Sequence, residues 1–406
     1  MITKIVKPAA AGTIDAIDSK SMAHRLLIAE SLSECSCNVK INNHSADIKA
    51  TKGCLAALKN GGQLMCGESG STLRFMLPLA GALGTCSDFV MEGRLPQRPI
   101  APLDRELIRH GCTITRPSEN TIHMEGKLSG GEYNLPGNVS SQYVTGLLMA
   151  LPLLAEDSAI SIRGRLQSRP YVDMTLRVLK MSGIKTTEVS TDESTVIHIS
   201  GGQRYRLQGD IDVEGDWSNA AFWLCLGAMG RGPVTVRGLD TESAQGDKAV
   251  LRVLERMGAG ITYGDQGQIT VTGQRLDPAV IDAEDIPDLV PVLAAAAAFS
   301  WGTSRIINAG RLRIKESDRL VTTRQALAGL GADIVETEDG LIIHGTGSLK
   351  GGRISSAGDH RIAMMAAVAA AICREPVIIE GSEAVRKSYP GFFDDYQSLG
   401  GITEEI

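Results

Sequence analysis

Lys20 and Arg25 stand in S-K-S-M-A-H-R, Arg74 in E-S-G-S-T-L-R, and Lys315 and Arg319 in R-I-K-E-S-D-R, each beside an expected helix start. A cation in the first turn faces the positive end of the helix dipole and loses free energy unless an anion shares the site. Free backbone N–H groups, small residues that admit close approach (Ser21, Gly70, Ser71, Ser140, Ser141) and a nearby Lys together suit a phosphate or carboxylate. Other cations lie in similarly short strings: Arg98 in L-P-Q-R-P, Arg361 in G-D-H-R, Lys387 in V-R-K-S-Y-P, and Arg311 and Arg313 next to Lys315. Arg offers a bidentate grip on an oxyanion and Lys a point contact. Carboxylates are interspersed: Asp288 in D-I-P-D-L, Glu316 after Lys315, and Glu68 before the Gly70 turn. Such a carboxylate serves as an ion-pair partner, or, in a closed site with a lysine, moves protons on and off a substrate.

These strings recur because the chain repeats. A helical segment rich in Leu and Met that ends at Gly and runs into a strand is expected at Asp47–Gly61, Asp104–Gly111, Asp173–Gly183, Asp247–Gly258, Ser317–Gly331 and Phe392–Gly400. Between these lie more apolar, more buried helices that open at Ser19-Lys20, Ser69-Gly70-Ser71, Ser140-Ser141, Asp216, Asp288 and Asp359. Ser and Asp are also preferred N-caps, so capping is the plain alternative for each of these residues. Short β-branched runs such as Ala159–Ile162, Val234–Val236 and Val377–Ile379 fill the gaps, giving an α/β chain. Six units divide into three and three, and the polar segment Gly209–Gly215 is the expected crossing between two domains. Pattern alone does not place the first strand, Met1–Pro8, in either half.

Composition removes several classes. With 406 residues, 43% hydrophobic, 22% charged and a net charge of −6, the chain is neither disordered nor a basic nucleic-acid coat. Its longest apolar runs, about 12 residues, fall short of the roughly 18 that a membrane span needs. M-I-T-K-I-V-K-P has no apolar signal region, and a cytoplasmic protein is expected. Eight cysteines, including the lone C-x-C of Cys35 and Cys37, then read as reduced thiols, and seven histidines show no ligand spacing, so no metal is expected. Neither a Walker A motif nor a G-x-G-x-x-G is present, so the anion need not be a nucleotide.

The ordered strings S-K-S-M-A-H-R (19–25), G-E-S-G-S-T-L-R (67–74), Q-R-P-I (97–100), S-S-Q-Y (140–143), S-R-P-Y (168–171), Q-G-D (245–247), I-P-D (286–288), K-E-S-D-R (315–319), G-D-H-R (358–361) and K-S-Y-P (387–390) closely resemble the motif set of the 5-enolpyruvylshikimate-3-phosphate synthase family. The likeness spans nearly the whole chain. It implies a two-domain inside-out α/β barrel, each domain three βαβαββ repeats, with domains 14–213 and 1–13 plus 214–406 and an active site in the cleft between them. The implied reaction moves the enolpyruvyl group of phosphoenolpyruvate onto the 5-hydroxyl of shikimate 3-phosphate and releases phosphate, with no cofactor.

Carried over position by position, the resemblance implies that Lys20, Ser21, Arg25, Ser140, Ser141, Gln142, Ser168, Tyr171, Asp288, Arg311 and Lys315 contact shikimate 3-phosphate. It implies that Lys20, Gly70, Arg98, Gln142, Arg319, Arg361 and Lys387 contact phosphoenolpyruvate. Asp288 is the implied base for the hydroxyl, with Glu316 and Lys20 in the proton transfers at C3. Glu68 stands where the family commonly has Asn, Ser71 where it has Thr and Arg311 where Asn is common, and the loop before Lys20 lacks the usual Pro-Gly. Glu68 and Ser71 lie near the phosphoenolpyruvate pocket, where glyphosate binds in this family. The sister enzyme acting on UDP-N-acetylglucosamine would carry Lys-Asn at Lys20-Ser21 and a reactive Cys near Arg98, and neither occurs. A six-repeat DNA clamp would spread its cations along helix faces rather than cluster them at helix starts. A monomer that binds neither nucleic acid nor membrane is expected.

Overall fold

The computed structural model describes residues 1–60, 62–230, 232–273 and 275–406, and the chain divides into two compact units, Lys20–Val213 and Met1–Ser19 with Glu214–Ile406. The helices are α1 (Lys20–Leu32), α2 (Ala46–Leu58), α3 (Gly70–Leu83), α4 (Leu103–Arg109), α5 (Ser141–Ala150), α6 (Arg169–Met181), α7 (Trp217–Met229), α8 (Val250–Arg256), α9 (Val290–Phe299), α10 (Arg319–Gly329), α11 (His360–Ala369) and α12 (Phe392–Ser398). Odd-numbered helices are the apolar set and even-numbered ones the set that ends at Gly. All thirteen residues of α7 are buried, as are all ten of α11. Such helices, apolar on every face, form a core rather than cover one. The Ala run of α9 supplies small side chains where α7, α9 and α11 pack together.

One topology recurs around these cores. In strand Gly62–Gly67, α3, strand Ser87–Met91, α4 and the pair Cys112–Ser118 and Thr121–Gly126, the first two strands are parallel and the fourth inserts antiparallel beside the second. The same βαβαββ order is seen from Gly131 to Ile199 and from Val280 to Thr346. A parallel pair needs a crossover, and the inner helix provides it. The remaining repeats borrow strands from elsewhere in the chain. Gly12–Asp15 lies parallel to Val234–Arg237 and opens the sheet built around α7. Ile2–Lys7 inserts between Val377–Glu380 and Ile402–Glu405, which places the N-terminal strand that pattern left open. The first repeat of Lys20–Val213 is reduced to two parallel strands, Cys37–Lys40 and Gly209–Asp212. Much of the expected crossing segment is therefore a sheet strand, and the unit boundary falls after Val213.

The outer helices end as the sequence predicts. Gly111, Gly183, Gly258, Gly331 and Gly400 all follow a helix with positive φ, a backbone state that costs glycine little. Gly61, the expected end of α2, lies outside the described residues. Four inner helices are capped by side chains: Ser69 accepts from Thr72 N–H, Ser140 from Gln142, Asp216 from Asn219 and Asp359 from Arg361. Asp288 is no cap. It lies in a 3-10 turn, Pro287–Leu289, ahead of α9, and its carboxylate points elsewhere. Among the described residues no helix is long and apolar enough to cross a membrane.

Gly111 joins α4 to its strand at φ 108°, and a Cβ there would stand 2.6 Å from the Lys127 carbonyl oxygen. Gly111→Ala is predicted to lower the unfolding free energy by about 1–3 kcal/mol. The check is a urea titration, in which the midpoint should fall at unchanged slope; an unmoved midpoint would show that the turn relaxes freely.

Candidate active site

In the unit Lys20–Val213 the starts of α1, α3 and α5 carry polar groups tied to one another. Lys20 opens α1 and donates to the carboxylate of Asp47, on α2, at 2.7 Å. Arg74, one turn into α3, donates to the Gln142 side-chain oxygen and to the Pro99 carbonyl, both at 2.8 Å. Gln142, on α5, donates its amide N–H to Ser71 at 2.9 Å. Gly70 has no side chain because there is no room for one: a Cβ would lie 2.5 Å from a terminal nitrogen of Arg74 and 2.7 Å from one of Arg98. Two guanidinium groups thus converge on the first turn of α3, where the helix dipole adds further positive potential. Glu68 folds its carboxylate over Gly93, in space that any side chain there would fill.

Arg25 braces this unit. It is 2% exposed and donates to the carbonyls of Ser21 (2.5 Å) and Tyr171 (2.8 Å) and to the hydroxyls of Thr145 (3.2 Å) and Thr175 (2.9 Å). Burial brings its pKa down to about 10. It ties α1 to α5 and α6, and so positions Ser21 and Tyr171. Ser168, at the N-cap of α6, holds φ 55°, an uncommon state for a non-glycine residue, and is buried. Behind the Gly70 turn runs a buried line of hydrogen bonds: His24 Nδ1 to the Thr51 hydroxyl (2.7 Å), Thr51 to Thr72 (2.7 Å) and Thr72 to Ser69 (2.8 Å). Burial drops the His24 pKa to about 3, so the ring there is neutral.

In the other unit the starts of α9, α10 and α11 meet around Arg319, which is 1% exposed. Its guanidinium donates to Asp288 at 2.7 Å, Glu316 at 2.8 Å and Asp359 at 2.8 Å. Arg361 reaches the Asp288 carboxylate and the Asp288 carbonyl, both at 3.1 Å, and Lys315 stands 3.6 Å from the same carboxylate. Burial works to raise the Asp288 pKa, but Arg361, Lys315 and Arg319 together hold it well below the usual carboxylate range. Burial pulls the Lys315 pKa down against the pull of Asp288. Asp247 is 2% exposed: burial, then repulsion from Asp288, pushes its carboxyl up to about 7. One oxygen of Asp247 is in close contact with the Ser218 hydroxyl, and the other has no partner among the described residues. Lys387 is buried in the 3-10 turn Ser382–Lys387, which packs on α11. Arg311 donates to the Glu284 carbonyl at 3.1 Å from the turn before Lys315.

Within this second unit the structure therefore gathers Asp288, Lys315, Glu316, Arg319 and Arg361 into one hydrogen-bonded and ion-paired group, with Arg311 and Lys387 on neighbouring turns. Within the first it gathers Gly70, Arg98 and Gln142 around Arg74, and separately links Ser21, Arg25 and Tyr171. Sequence reasoning gave no role to Asp47, to the His24 line or to Asp247, although Asp247 closes the Q-G-D string. Nor did it credit Arg74, which it noted only as a cation. The available signal was position, since each of these lies at or near the start of a helix.

Small sheets wrapped on inner helices, with cations and carboxylates crowded at the helix starts, define an α/β protein suited to small anions. The family model for EPSP synthase (3-phosphoshikimate 1-carboxyvinyltransferase) matches residues 59–396. A Clostridium kluyveri protein named 3-phosphoshikimate 1-carboxyvinyltransferase is 44% identical over 97% of this chain and 96% of its own, and a Clostridium novyi protein of the same name is 40% identical over 99% and 98%. Among solved structures, an Acinetobacter baumannii EPSP synthase superposes with a TM-score of 0.80 at 24% identity over the whole of both chains. The enolpyruvyl transferase NikO from Streptomyces tendae gives 0.79 at 14% identity over 100% and 98%. These two likenesses concern the fold. The chain belongs to the EPSP synthase family.

Asp247 makes stability depend on pH. Its folded value of about 7 lies above that of a free carboxyl, so between roughly pH 4 and 7 the folded protein holds a proton that the unfolded chain gives up. Raising pH through that window is predicted to remove stability, by up to about 1.4 kcal/mol per pH unit. Asp247→Asn, always neutral, should flatten this fall in denaturant titrations from pH 5 to 8, whereas parallel curves would show that Asp247 ionises freely.

Proposed function

We propose that this chain transfers the enolpyruvyl group of phosphoenolpyruvate to the 5-hydroxyl of shikimate 3-phosphate, forming 5-enolpyruvylshikimate 3-phosphate and inorganic phosphate in the shikimate pathway to chorismate and aromatic amino acids. Family membership supports the reaction. The observation that carries it to these residues is the Asp288 group: one carboxylate facing Arg319, Arg361 and Lys315 where α9, α10 and α11 begin. Both substrates are polyanions, and pre-organised cations stabilise the charge that shifts between them.

The proposed assignment gives the phosphoenolpyruvate anions to Arg98, Arg319, Arg361 and Lys387, with Gly70 leaving space at the first turn of α3. It gives shikimate 3-phosphate to Ser21, Arg25, Ser140, Ser141, Ser168 and Tyr171, with Arg25 also holding two of these and with Lys20 and Gln142 serving both substrates. Asp288 and Lys315 address the shikimate hydroxyls, and Arg311 adds a charged contact to shikimate 3-phosphate. The 5-hydroxyl oxygen bonds to C2 of phosphoenolpyruvate as its proton passes to Asp288, and C3 gains a proton by way of Lys20 or Glu316. The tetrahedral ketal then loses phosphate from C2 and a proton from C3, restoring the double bond.

The ion pairs shape this step. A carboxylate held by three cations is a weak base, since each cation stabilises the charged form. When substrate anions draw Arg319 and Arg361 onto themselves, Asp288 loses part of that stabilisation and its proton affinity rises towards what a general base needs. Arrival of the donor thus switches on the base for the acceptor. The proposal also retains a cytoplasmic monomer that works without nucleic acid; sedimentation and a low-salt DNA-retention assay test these two features.

Phosphate release from phosphoenolpyruvate by the purified protein should require shikimate 3-phosphate and should not occur with UDP-N-acetylglucosamine. Release only with the second acceptor would overturn the assignment, and silence with both from folded protein would overturn the activity. Asp288→Ala and Lys20→Met are each predicted to abolish turnover while leaving the circular dichroism unchanged; normal turnover in either would remove that residue from the mechanism. Gly70→Ala should raise the KM for phosphoenolpyruvate at least tenfold, because its Cβ displaces the Arg74 or Arg98 guanidinium, and an unchanged KM would place the donor elsewhere.

A further inference from the structure

The outer face of the sheet around α3 carries side chains that the reaction does not use. Asp88, on strand Ser87–Met91, stands directly across the antiparallel ladder from His123, on strand Thr121–Gly126. Cys86 lies two residues before Asp88 and Glu125 two after His123, so alternation puts all four on one face. The Asp88 carboxylate accepts from His123 Nδ1 at 2.7 Å, which fixes the neutral ring with Nε2 as the free lone pair. That Nε2 lies 3.9 Å from Cys86 Sγ, and the ligand atoms of Cys86, His123 and Glu125 are all within 4.8 Å of one another. A tetrahedral zinc ion with nitrogen and sulfur ligands at 2.0–2.3 Å would bring such a pair to about 3.5 Å, a sub-ångström adjustment for exposed side chains.

We propose that Cys86 Sγ, His123 Nε2 and a Glu125 carboxylate oxygen bind a divalent transition metal of the zinc class, with a fourth position open to water. Three features favour this over an ordinary surface cluster. The set mixes one soft sulfur, one imidazole and one carboxylate, which selects zinc or cobalt over calcium and magnesium. It includes the second-layer carboxylate on the far ring nitrogen that zinc-binding histidines characteristically have. His123 and Glu125 also sit on one strand and Cys86 immediately precedes the strand paired with it, so the ladder beside them sets their spacing. Sequence spacing did not show the site, because Cys86 and His123 are 37 residues apart and meet only through strand pairing. None of the residues assigned to substrate belongs to it. Binding takes the thiolate and releases its proton to solvent, so affinity should rise with pH.

Cobalt(II) titrated into the metal-free full-length protein should give a near-ultraviolet thiolate-to-metal charge-transfer band that saturates at one equivalent, and zinc should bleach it. Cys86→Ser should abolish the band and His123→Ala should weaken it strongly. Asp88→Ala, which leaves all three ligands in place, should reduce affinity about 10–100-fold. Phosphate release by Cys86→Ser, assayed without metal, should match the parent and so report an intact fold. Absence of the band in the parent protein would overturn the proposal. So would its survival in Cys86→Ser, which would assign the metal to another thiol, or unchanged affinity in Asp88→Ala.

Discussion

One buried guanidinium organises the larger unit. Arg319 sits among Asp288, Glu316 and Asp359 with almost no access to water, and two of those carboxylates have a second task. Asp359 caps α11, Asp288 holds Arg361 and Lys315, and Glu316 is tethered three residues from Arg319 itself. Burying such charges costs several kcal/mol per ion, offset only when the geometry satisfies nearly every donor and acceptor. The starts of α9, α10 and α11 must therefore stay in register for the cluster to be tolerated at all, which makes it a device for specifying geometry more than a source of stability.

The same economy explains why catalytic-looking groups are tied up. Lys20 is bound to Asp47, Arg74 to Gln142, and Asp288 to three cations. A cation at the positive end of a helix dipole would be poorly placed alone, and an internal carboxylate or amide lowers that cost until an anion takes over. In the proposed reaction, substrate anions then exchange one set of ion pairs for another, with little reorganisation of side chains that are already in place. Asp247, pressed towards neutrality by burial and then by Asp288, shows the limit of this crowding.

Much of the fold was legible in the sequence. The alternation of helices, the glycine stops and the six-fold recurrence are local signals, and five outer helices, α4, α6, α8, α10 and α12, are followed by the expected glycine, each with positive φ. Asp216, Asp288 and Asp359 looked equivalent. Two of them are caps and the third is the centre of an ion cluster, a difference that depends on what α10 and α11 bring alongside. Arg25 looked like a substrate contact by motif, and it also ties α1 to Thr145 on α5 and Tyr171 on α6, pairings that no local pattern shows. The missed residues, Asp47, His24, Asp247 and Asp88, all act through partners distant in sequence.

By itself the sequence determined the repeat, the glycine stops, the net negative charge with its clustered cations, and, through ten ordered strings, the family. These rest on local conformational preference and on residue order, which a linear chain carries explicitly. Only the tertiary structure decided which strand completes which sheet, that the N-terminal strand closes the last one, which cation pairs with which carboxylate, and that Cys86 meets His123 across a ladder. Pairings of that kind depend on distances between segments tens to hundreds of residues apart, and those distances do not exist until the helices and sheets have packed.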